Sequence, residues 1–151
     1  MKKLLCIALL GGVMACPHAP ANTHPTADST PGASSARGAV QKFFDAVRAG
    51  DLQAMSVAWG TTQGPTRETI ERAELEKREV VLRCYFNHDS YRILDEAKGS
   101  RGQLFQVQLT RGDLKRTTTV TTVQGPNQRW YVETLDIAAV RDLCGSSPTN
   151  P

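Results

Sequence analysis

His88 and Asp89 are adjacent residues whose side chains could transfer a proton. They lie in the segment NHDS at residues 87–90, where a helical pattern ends and an alternating pattern begins. An imidazole and a carboxylate at such a boundary can stand at the rim of a cavity and act as acid and base. Asn and Asp at these positions are also typical of a turn, in which they bond their own backbone. We favour the turn and keep the acid–base pair as the alternative.

The chain contains no motif that predicts a metal ion or a cofactor. His18 and His24 lie in a Pro-rich segment, so His88 is the only histidine of the predicted domain, and no cysteine pair has the spacing of zinc ligands. There is also no glycine-rich phosphate loop and no G-x-S-x-G motif. We therefore predict no metal site and no cofactor.

The charge of the chain argues against nucleic acid as a partner. The formal net charge is +3, but two of the 18 basic residues, Lys2 and Lys3, lie in the N-terminal segment. This leaves 16 basic against 15 acidic residues in the rest of the chain. A nearly neutral domain has little attraction for phosphate backbones.

The N-terminal segment has the pattern of a leader peptide. Two lysines precede an apolar stretch of about ten residues, which is the length of a signal peptide and too short to span a bilayer. The following VMAC at residues 13–16 resembles the lipobox of bacterial lipoproteins, although Met14 stands where a small residue is usual. The resemblance implies a signal peptide at residues 1–15, lipidation of Cys16 and stable membrane attachment.

An ordinary signal peptidase site is the alternative. Ala19-Pro20-Ala21 matches the A-x-A pattern, and cleavage there would release a soluble secreted protein. We favour lipidation at Cys16 and a location in the cell envelope. Pro17 stands where an aspartate retains some lipoproteins at the inner membrane, so we expect the outer membrane, on its periplasmic side.

Composition divides the mature chain into a tether, a domain and a tail. Residues 16–36 are rich in Pro, Ala, Ser and Thr and carry almost no charge, which predicts a flexible tether. Residues 37–145 carry regular apolar patterns and form the predicted domain. Residues 146–151 are a polar, Pro-containing tail.

The first half of the domain is predicted to be helical. Apolar residues at i, i+3, i+4 and i+7 predict a helix that ends at Gly50, and Asp51 can cap a second helix. A third helix is predicted to run without a break from Thr66 to about Phe86, with its apolar second half buried. Its first half should carry four charge pairs at i,i+4 spacing: Arg67/Glu71, Glu68/Arg72, Arg72/Glu76 and Glu74/Arg78.

The second half of the domain alternates with a period of two, which predicts strands. Four alternating segments are separated by the turn sequences KGSRG, RGD and QGPN, and a short helical turn follows at residues 137–144. Trp130 and Tyr131 should point to opposite faces of the last strand, one into the core. The predicted class is α+β, with three N-terminal helices on one face of a curved antiparallel sheet of about four strands.

Two segments resemble the nuclear transport factor two-like superfamily, also called the SnoaL-like or cone-shaped fold. AVQKFFDAVRAGDLQAM at residues 39–55 resembles its opening helices, and QRWYVETLDI at 128–137 resembles its last strand. Isomerases of this superfamily use an Asp base with a Tyr or a protonated Asp as proton donor. The resemblance therefore implies candidate groups at a pocket or its rim: Asp45, Trp59, Tyr85, His88, Asp89, Tyr91 and Trp130.

Cys84 and Cys144 remain once the leader is removed and Cys16 is acylated. Two cysteines in an oxidising envelope usually pair, so we predict a disulfide between them; the alternative is a buried Cys84 and a free Cys144. For the function we favour a non-enzymatic, membrane-anchored module that binds a small apolar ligand or an envelope protein, or is structural. The alternative is a small enzyme acting on a hydrophobic substrate by acid–base chemistry. The outer face of the sheet could also form a homodimer.

Overall fold

The structure, a computed structural model, describes residues 30–145. The predicted leader, Cys16 and the first part of the tether lie outside the described residues, as does the tail at 146–151. Among residues 30–145 we find no helix with the length and apolar character needed to cross a bilayer.

Two helices open the fold, and both confirm the sequence pattern. Helix α1 spans Ala36–Ala49 and ends at Gly50, which adopts the left-handed conformation that glycine accepts most readily. Helix α2 spans Leu52–Ala58. The Asp51 carboxylate caps it by accepting a hydrogen bond of 2.9 Å from the amide of Ala54.

The predicted third helix is divided, which corrects the expectation of one continuous helix. A short hairpin of β1 (Gly60–Thr61) and β2 (Gly64–Pro65) follows α2. Helix α3 is then a single turn at Thr66–Thr69, and helix α4 runs over Arg72–Tyr85. Two fourteen-residue helices and two shorter ones therefore precede the sheet, in place of three.

Glu71 accounts for the break. Its carboxylate accepts hydrogen bonds from the amides of Ala73 and Glu74 at 3.0 and 3.1 Å, and these bonds hold the pKa of Glu71 below its ordinary value. Ile70 before it is extended, with φ −119° and ψ 138°. A carboxylate that satisfies the first free amides of a helix starts a new helix at that point.

Helix α4 also corrects the prediction that its second half is buried. Leu82 and Phe86 are buried, but Val80 and Val81 are 45% and 51% exposed. The apolar run VVLRCYF covers both faces of the helix, and only one of them meets the core.

One of the four predicted charge pairs forms in the described part of the chain. Arg78 Nε lies 2.8 Å from Glu74 Oε1 within α4. The break between α3 and α4 removes the helical spacing on which Arg67/Glu71 and Glu68/Arg72 depended. The predicted pair of Arg72 and Glu76 is not within ion-pair distance either.

The second half of the domain is a four-stranded antiparallel sheet, as predicted. Its strands are β3 (Ser90–Lys98), β4 (Gln103–Arg111), β5 (Leu114–Gln124) and β6 (Trp130–Leu135), and each pairs with the next in chain order. Bulges interrupt the register between β3 and β4 and between β5 and β6. The α+β class and the single antiparallel meander are therefore confirmed.

The core lies between α1 and the inner face of the sheet. Phe43 and Phe44 of α1 are fully buried, as are the inward-facing residues of the strands. These strand residues are Phe105, Val107, Leu109, Val120 and Val132. The alternation of buried and partly exposed residues along β4 is what the period of two predicts.

Trp130 and Tyr131 point to opposite faces, but both are covered. Trp130 packs against the core, whereas Tyr131 on the other face is only 2% exposed. Loops with glycines enclose the Tyr131 ring: a Cβ on Gly60 would lie 2.8 Å from Tyr131 Cδ1 and 2.5 Å from the Gly64 carbonyl oxygen. The sequence pattern does not predict the burial of Tyr131, because the glycines that enclose its ring add no apolar side chain to the pattern.

The segment that leads into α1 is held against the last strand. Ala33 pairs with Trp130, and the Arg129 guanidinium donates hydrogen bonds to the carbonyls of Pro31 and Gly32 at 3.0 and 2.9 Å. The last residues of the predicted tether are therefore packed on the domain.

Cys84 and Cys144 form the predicted disulfide, with their Cα atoms 4.7 Å apart. The bond joins the end of α4 to a 3-10 helix at Ala138–Leu143, the predicted final turn. Closing a loop of this length stabilises the fold by about 4 kcal/mol on the chain-entropy estimate.

Candidate functional site

His88 lies inside an aromatic enclosure. Its side chain is 3% exposed, and Nδ1 donates a hydrogen bond of 2.7 Å to the carbonyl of Phe86. The imidazole meets the rings of Phe44 and Tyr91 edge-on, with centroids 5.7 and 5.5 Å away. We call Phe44, Phe86, His88 and Tyr91 the His88 cluster.

The His88 cluster keeps its two titratable groups neutral. Burial lowers the pKa of His88, although the Phe86 carbonyl opposes this shift. Burial together with the nearby Asp45 carboxylate raises the pKa of Tyr91 to about 12. Because Nδ1 carries the proton, Nε2 is left as an acceptor, and it is buried without a hydrogen-bond partner among the described residues.

Of the other predicted site residues, Tyr91 joins the His88 cluster and the Asp45 carboxylate lies near it, whereas the rest make other contacts. The Asp89 carboxylate accepts a hydrogen bond of 2.7 Å from the amide of Gly112 and so joins two turns. Asp45 forms an ion pair with Arg48 on the exposed side of α1, at 3.0 Å. Tyr85 is half-buried against the core at the end of α4.

The two tryptophans lie near β6, away from His88. Trp59 is half-buried after α2 and pairs with Val132. Trp130 lines an open cleft of about 790 Å³ with the turn between β3 and β4. The structure therefore distributes the seven predicted pocket residues over α1, the end of α4, the turn into β3, β3 itself and the β6 side of the domain.

A second buried titratable group, Glu79, was missed by the sequence prediction. It lies on α4, is 3% exposed, and its Oε1 is buried with no hydrogen-bond partner among the described residues. Burial, followed by the negative charge of Glu76, raises the pKa of Glu79 to about 7. A buried carboxyl with an unsatisfied oxygen is costly unless a further group supplies the missing bond.

Glu79 lines a cleft of about 330 Å³ between α2, α3 and α4. Leu75 and Ser56 are buried beside it, and Arg67, Arg72 and Glu76 are exposed at its rim. We call this the Glu79 cleft.

The break before α4 creates this arrangement. Five positions along a continuous helix would place Arg67 and Arg72 about 140° apart around the axis. Because the chain turns at Ile70 and Glu71, both arginines line the same cleft. Neither guanidinium forms an ion pair within residues 30–145.

A sequence signal for Glu79 existed. Leu75, Glu79, Leu82 and Phe86 follow one another at i, i+4, i+7 and i+11, which is one helical stripe. A carboxylate in the middle of an apolar stripe predicts either a buried partner or a site. The charge pairs expected in the first half of this helix indicate its solvated face and carry no information on the buried stripe that holds Glu79.

Within residues 30–145 we find no group of three or more His, Cys, Asp or Glu side chains placed to hold a metal ion. The Glu79 cleft instead offers a carboxyl that accepts or donates a proton near neutral pH and two guanidiniums that bind anions. No family model, no curated protein and no solved structure matches this chain.

Proposed function

We propose that this chain is a membrane-anchored bacterial envelope lipoprotein whose folded domain works by binding, and that the Glu79 cleft is its binding site. The observation that carries the binding site is the buried, unpartnered Glu79 carboxyl in a cleft of about 330 Å³. The cleft has the size of a small-molecule site, and six of its eight lining residues are polar or charged, so its side chains can orient a polar ligand.

The tight packing of the core favours this cleft, and not the interior of the domain, as the location of the binding site. Phe43, Phe44 and Phe105 are fully buried between the helices and the sheet, where a ligand inside a cone would lie. An apolar ligand at that position would have to displace packed side chains. This favours a polar ligand on the helical side over the small apolar ligand expected from the sequence.

We further propose that the domain belongs to the cone-shaped, nuclear transport factor two-like group. The order of elements supports this proposal, with α1, a short α2 after Gly50 and Asp51, and an antiparallel meander on one side. Solving the structure by crystallography or NMR tests it, since strands lying in one flat sheet with no concave inner face would contradict a cone.

The anchor is tested by the intact mass of the mature protein purified from its native membrane. We expect a chain that starts at Cys16 and carries acyl groups. An unacylated chain that starts near Asn22 would contradict the lipoprotein proposal and leave the binding proposal unaffected.

The binding site is tested by amide chemical shifts of the ¹⁵N-labelled full-length protein against a library of small polar and apolar molecules. We expect polar compounds to shift the amides of Ser56, Leu75 and Glu79, and Glu79→Gln to reduce these shifts. Glu74→Gln is the matched control, since Glu74 pairs with Arg78 on α4 outside the cleft lining. A library whose binders all shift the β3–β4 turn beside Trp130 would refute the assignment.

One observation favours enzymatic activity as a second candidate. A carboxyl with a pKa of about 7 in a cleft is suited to exchange a proton at neutral pH, and two arginines beside it could hold an anionic substrate. Such an enzyme would use Glu79 in place of His88 or Asp89. Deuterium exchange into carbon positions of a bound carboxylate would support it, and a bound compound that stays unexchanged would favour binding alone.

A further inference from the structure

The floor of the Glu79 cleft requires a hydrogen-bond donor. Oε1 of Glu79 is buried and no described group of the protein donates to it. Leaving a buried acceptor unpaired is unfavourable, and a charged donor offsets more of that cost than a neutral one. An ammonium group is the compact charged donor that fits a single carboxylate at the bottom of a cleft.

The rim of the cleft can bind an anion. Arg67 on α3 and Arg72 at the start of α4 are exposed and line the same opening. Neither is in an ion pair with a described residue. Guanidinium groups bind carboxylates through paired, charge-assisted hydrogen bonds, so two of them at one rim favour a carboxylate.

The charges of the cleft balance only with an overall neutral ligand. When Glu79 is ionised, it and Glu76 offset Arg67 and Arg72. A ligand of one sign would leave an uncompensated charge beside the buried carboxylate, which is unfavourable at low solvent exposure. A zwitterion leaves the sum unchanged and pairs with both signs.

The volume of the cleft and its apolar residues limit the size and the side chain of the ligand. A volume of about 330 Å³ accommodates a molecule of amino-acid size, and Leu52 and Leu75 offer apolar contact for a short side chain. A long peptide would have to leave the cleft past the exposed rim.

We infer that the Glu79 cleft binds a small zwitterion of the amino-acid type, with its ammonium group on Glu79 and its carboxylate on Arg67 and Arg72. This inference rests on the proposed binding function. It adds the class of the ligand and its orientation in the cleft.

A pH dependence follows from this arrangement. The ammonium group prefers the ionised Glu79, whose pKa is about 7 in the empty cleft. The charged groups that line the cleft with it are Arg67 on α3 and Arg72 and Glu76 on α4, while α2 contributes the neutral Gln53 and Ser56. Affinity should therefore rise as the pH increases from 5.5 to 8, and binding at pH 6.5 should release protons.

The test uses three matched probes with the full-length protein: L-alanine, L-alaninamide without the carboxylate, and N-acetyl-L-alanine without the ammonium group. We expect L-alanine to shift the amides of the cleft saturably and to bind at least tenfold more tightly than either analogue. Affinity for L-alanine should be at least fivefold higher at pH 8 than at pH 5.5.

Three variants and a control assign the orientation. Glu79→Gln should reduce the affinity for L-alanine at least tenfold and remove its pH dependence. Arg72→Gln should reduce the affinity for L-alanine toward that for L-alaninamide, and the double variant Arg67→Gln/Arg72→Gln should make the two affinities equal. Glu74→Gln on the same helix should leave both affinities unchanged, which controls for a general effect of charge on α4.

The failure of this inference and the failure of the proposed function give different results. If one analogue binds in the cleft as tightly as L-alanine, the zwitterion is wrong and the binding site stands. If the three probes leave the cleft amides unshifted while other library compounds shift them, the ligand class is again wrong. If neither the probes nor the library shift these amides, both proposals fall.

Discussion

Helix α4 carries one buried titratable group, Glu79, near its middle, and a second one, His88, lies shortly after its end; the surroundings of the two groups are opposite in kind. His88, after the end of α4, is enclosed by Phe44 and Tyr91 and bonded to the Phe86 carbonyl. Glu79 lies near the middle of α4. Its Oε1 has no hydrogen-bond partner among the described residues, and the side chain lines an open cleft with two arginines at its rim. Burial alone therefore does not define a site. What distinguishes Glu79 is burial together with access and with complementary charges.

The two groups also give the stability of the fold opposite pH dependences. The pKa of His88 is lowered, so the unfolded chain binds a proton more readily and stability falls as the pH drops below about 6.5. The pKa of Glu79 is raised from 4.5 to about 7, so the folded chain binds the proton more readily. The contribution of Glu79 to the stability of the fold is fully present below pH 4.5 and is lost as the pH rises through 7.

Removing the disulfide should have the largest effect on stability, and it should affect the His88 cluster more than the Glu79 cleft. The disulfide fastens the His88 end of α4 to the C-terminal 3-10 helix, whereas the Glu79 cleft has no covalent link. Replacing Cys84 and Cys144 with Ala should lower the free energy of unfolding by about 4 kcal/mol. Urea denaturation of the oxidised protein and the variant measures it.

Hydrogen exchange then shows which region of the protein loses stability when the disulfide is removed. Amides of Phe86 and His88 should exchange faster in the disulfide variant than those of Leu75 and Ser56, after correction for the global change. Equal acceleration at both ends would mean that α4 responds as one unit, and the contrast between the two regions would be lost.

Glu79→Gln should have the next largest effect. The pKa shift of Glu79 corresponds to up to about 3 kcal/mol of stability lost at high pH, at about 1.4 kcal/mol per pKa unit. The variant should therefore be more stable than the natural chain at pH 8.5, by about 2 kcal/mol, and differ little at pH 5. Denaturation midpoints measured across this range test the prediction.

Glu76→Gln is the matched control for this change. Glu76 lies in the same cleft but is exposed, so its substitution should change stability by less than about 0.5 kcal/mol at either pH. An equal gain in both variants at pH 8.5 would attribute the effect to the net charge of the cleft and not to the burial of Glu79.

His88→Gln should give the smallest effect and the opposite sign. The loss of ring contacts and of the bond to Phe86 should cost about 1 kcal/mol at pH 7.5. The fall in stability between pH 7 and pH 5 should become shallower, because the new side chain does not titrate. A variant that keeps the full acid-side slope would show that His88 is not its source.

Much of the fold could be predicted because local rules decide it. Gly50 and Asp51 set the boundary between α1 and α2 through left-handed geometry and side-chain capping. The four strands followed from a period of two, and the disulfide from the number of cysteines together with the compartment expected from the leader sequence. These signals lie within a few residues or depend on composition, so no tertiary contact is needed to read them.

The errors arose where a local pattern supported two structures. A run of helix-forming residues hid the break at Glu71, which depends on one carboxylate bonding two amides. The apolar run at the end of α4 was assigned to the core as a whole, although Val80 and Val81 face outward. Residues 85–91 include side-chain types suited to proton transfer, but the burial of His88 is not a local property, so the sequence left both the turn and the acid–base pair open.

The sequence by itself determined the α+β class, the first two helices, the sheet meander and the pairing of Cys84 with Cys144, because capping and periodicity act locally and two cysteines allow a single intramolecular pair. Only the tertiary structure decided which titratable groups are buried and which of those remain accessible. The helical stripe of α4 indicates that Glu79 faces inward, but the cleft beside it exists because α2, α3 and α4 meet there, and that meeting is not a property of any one segment.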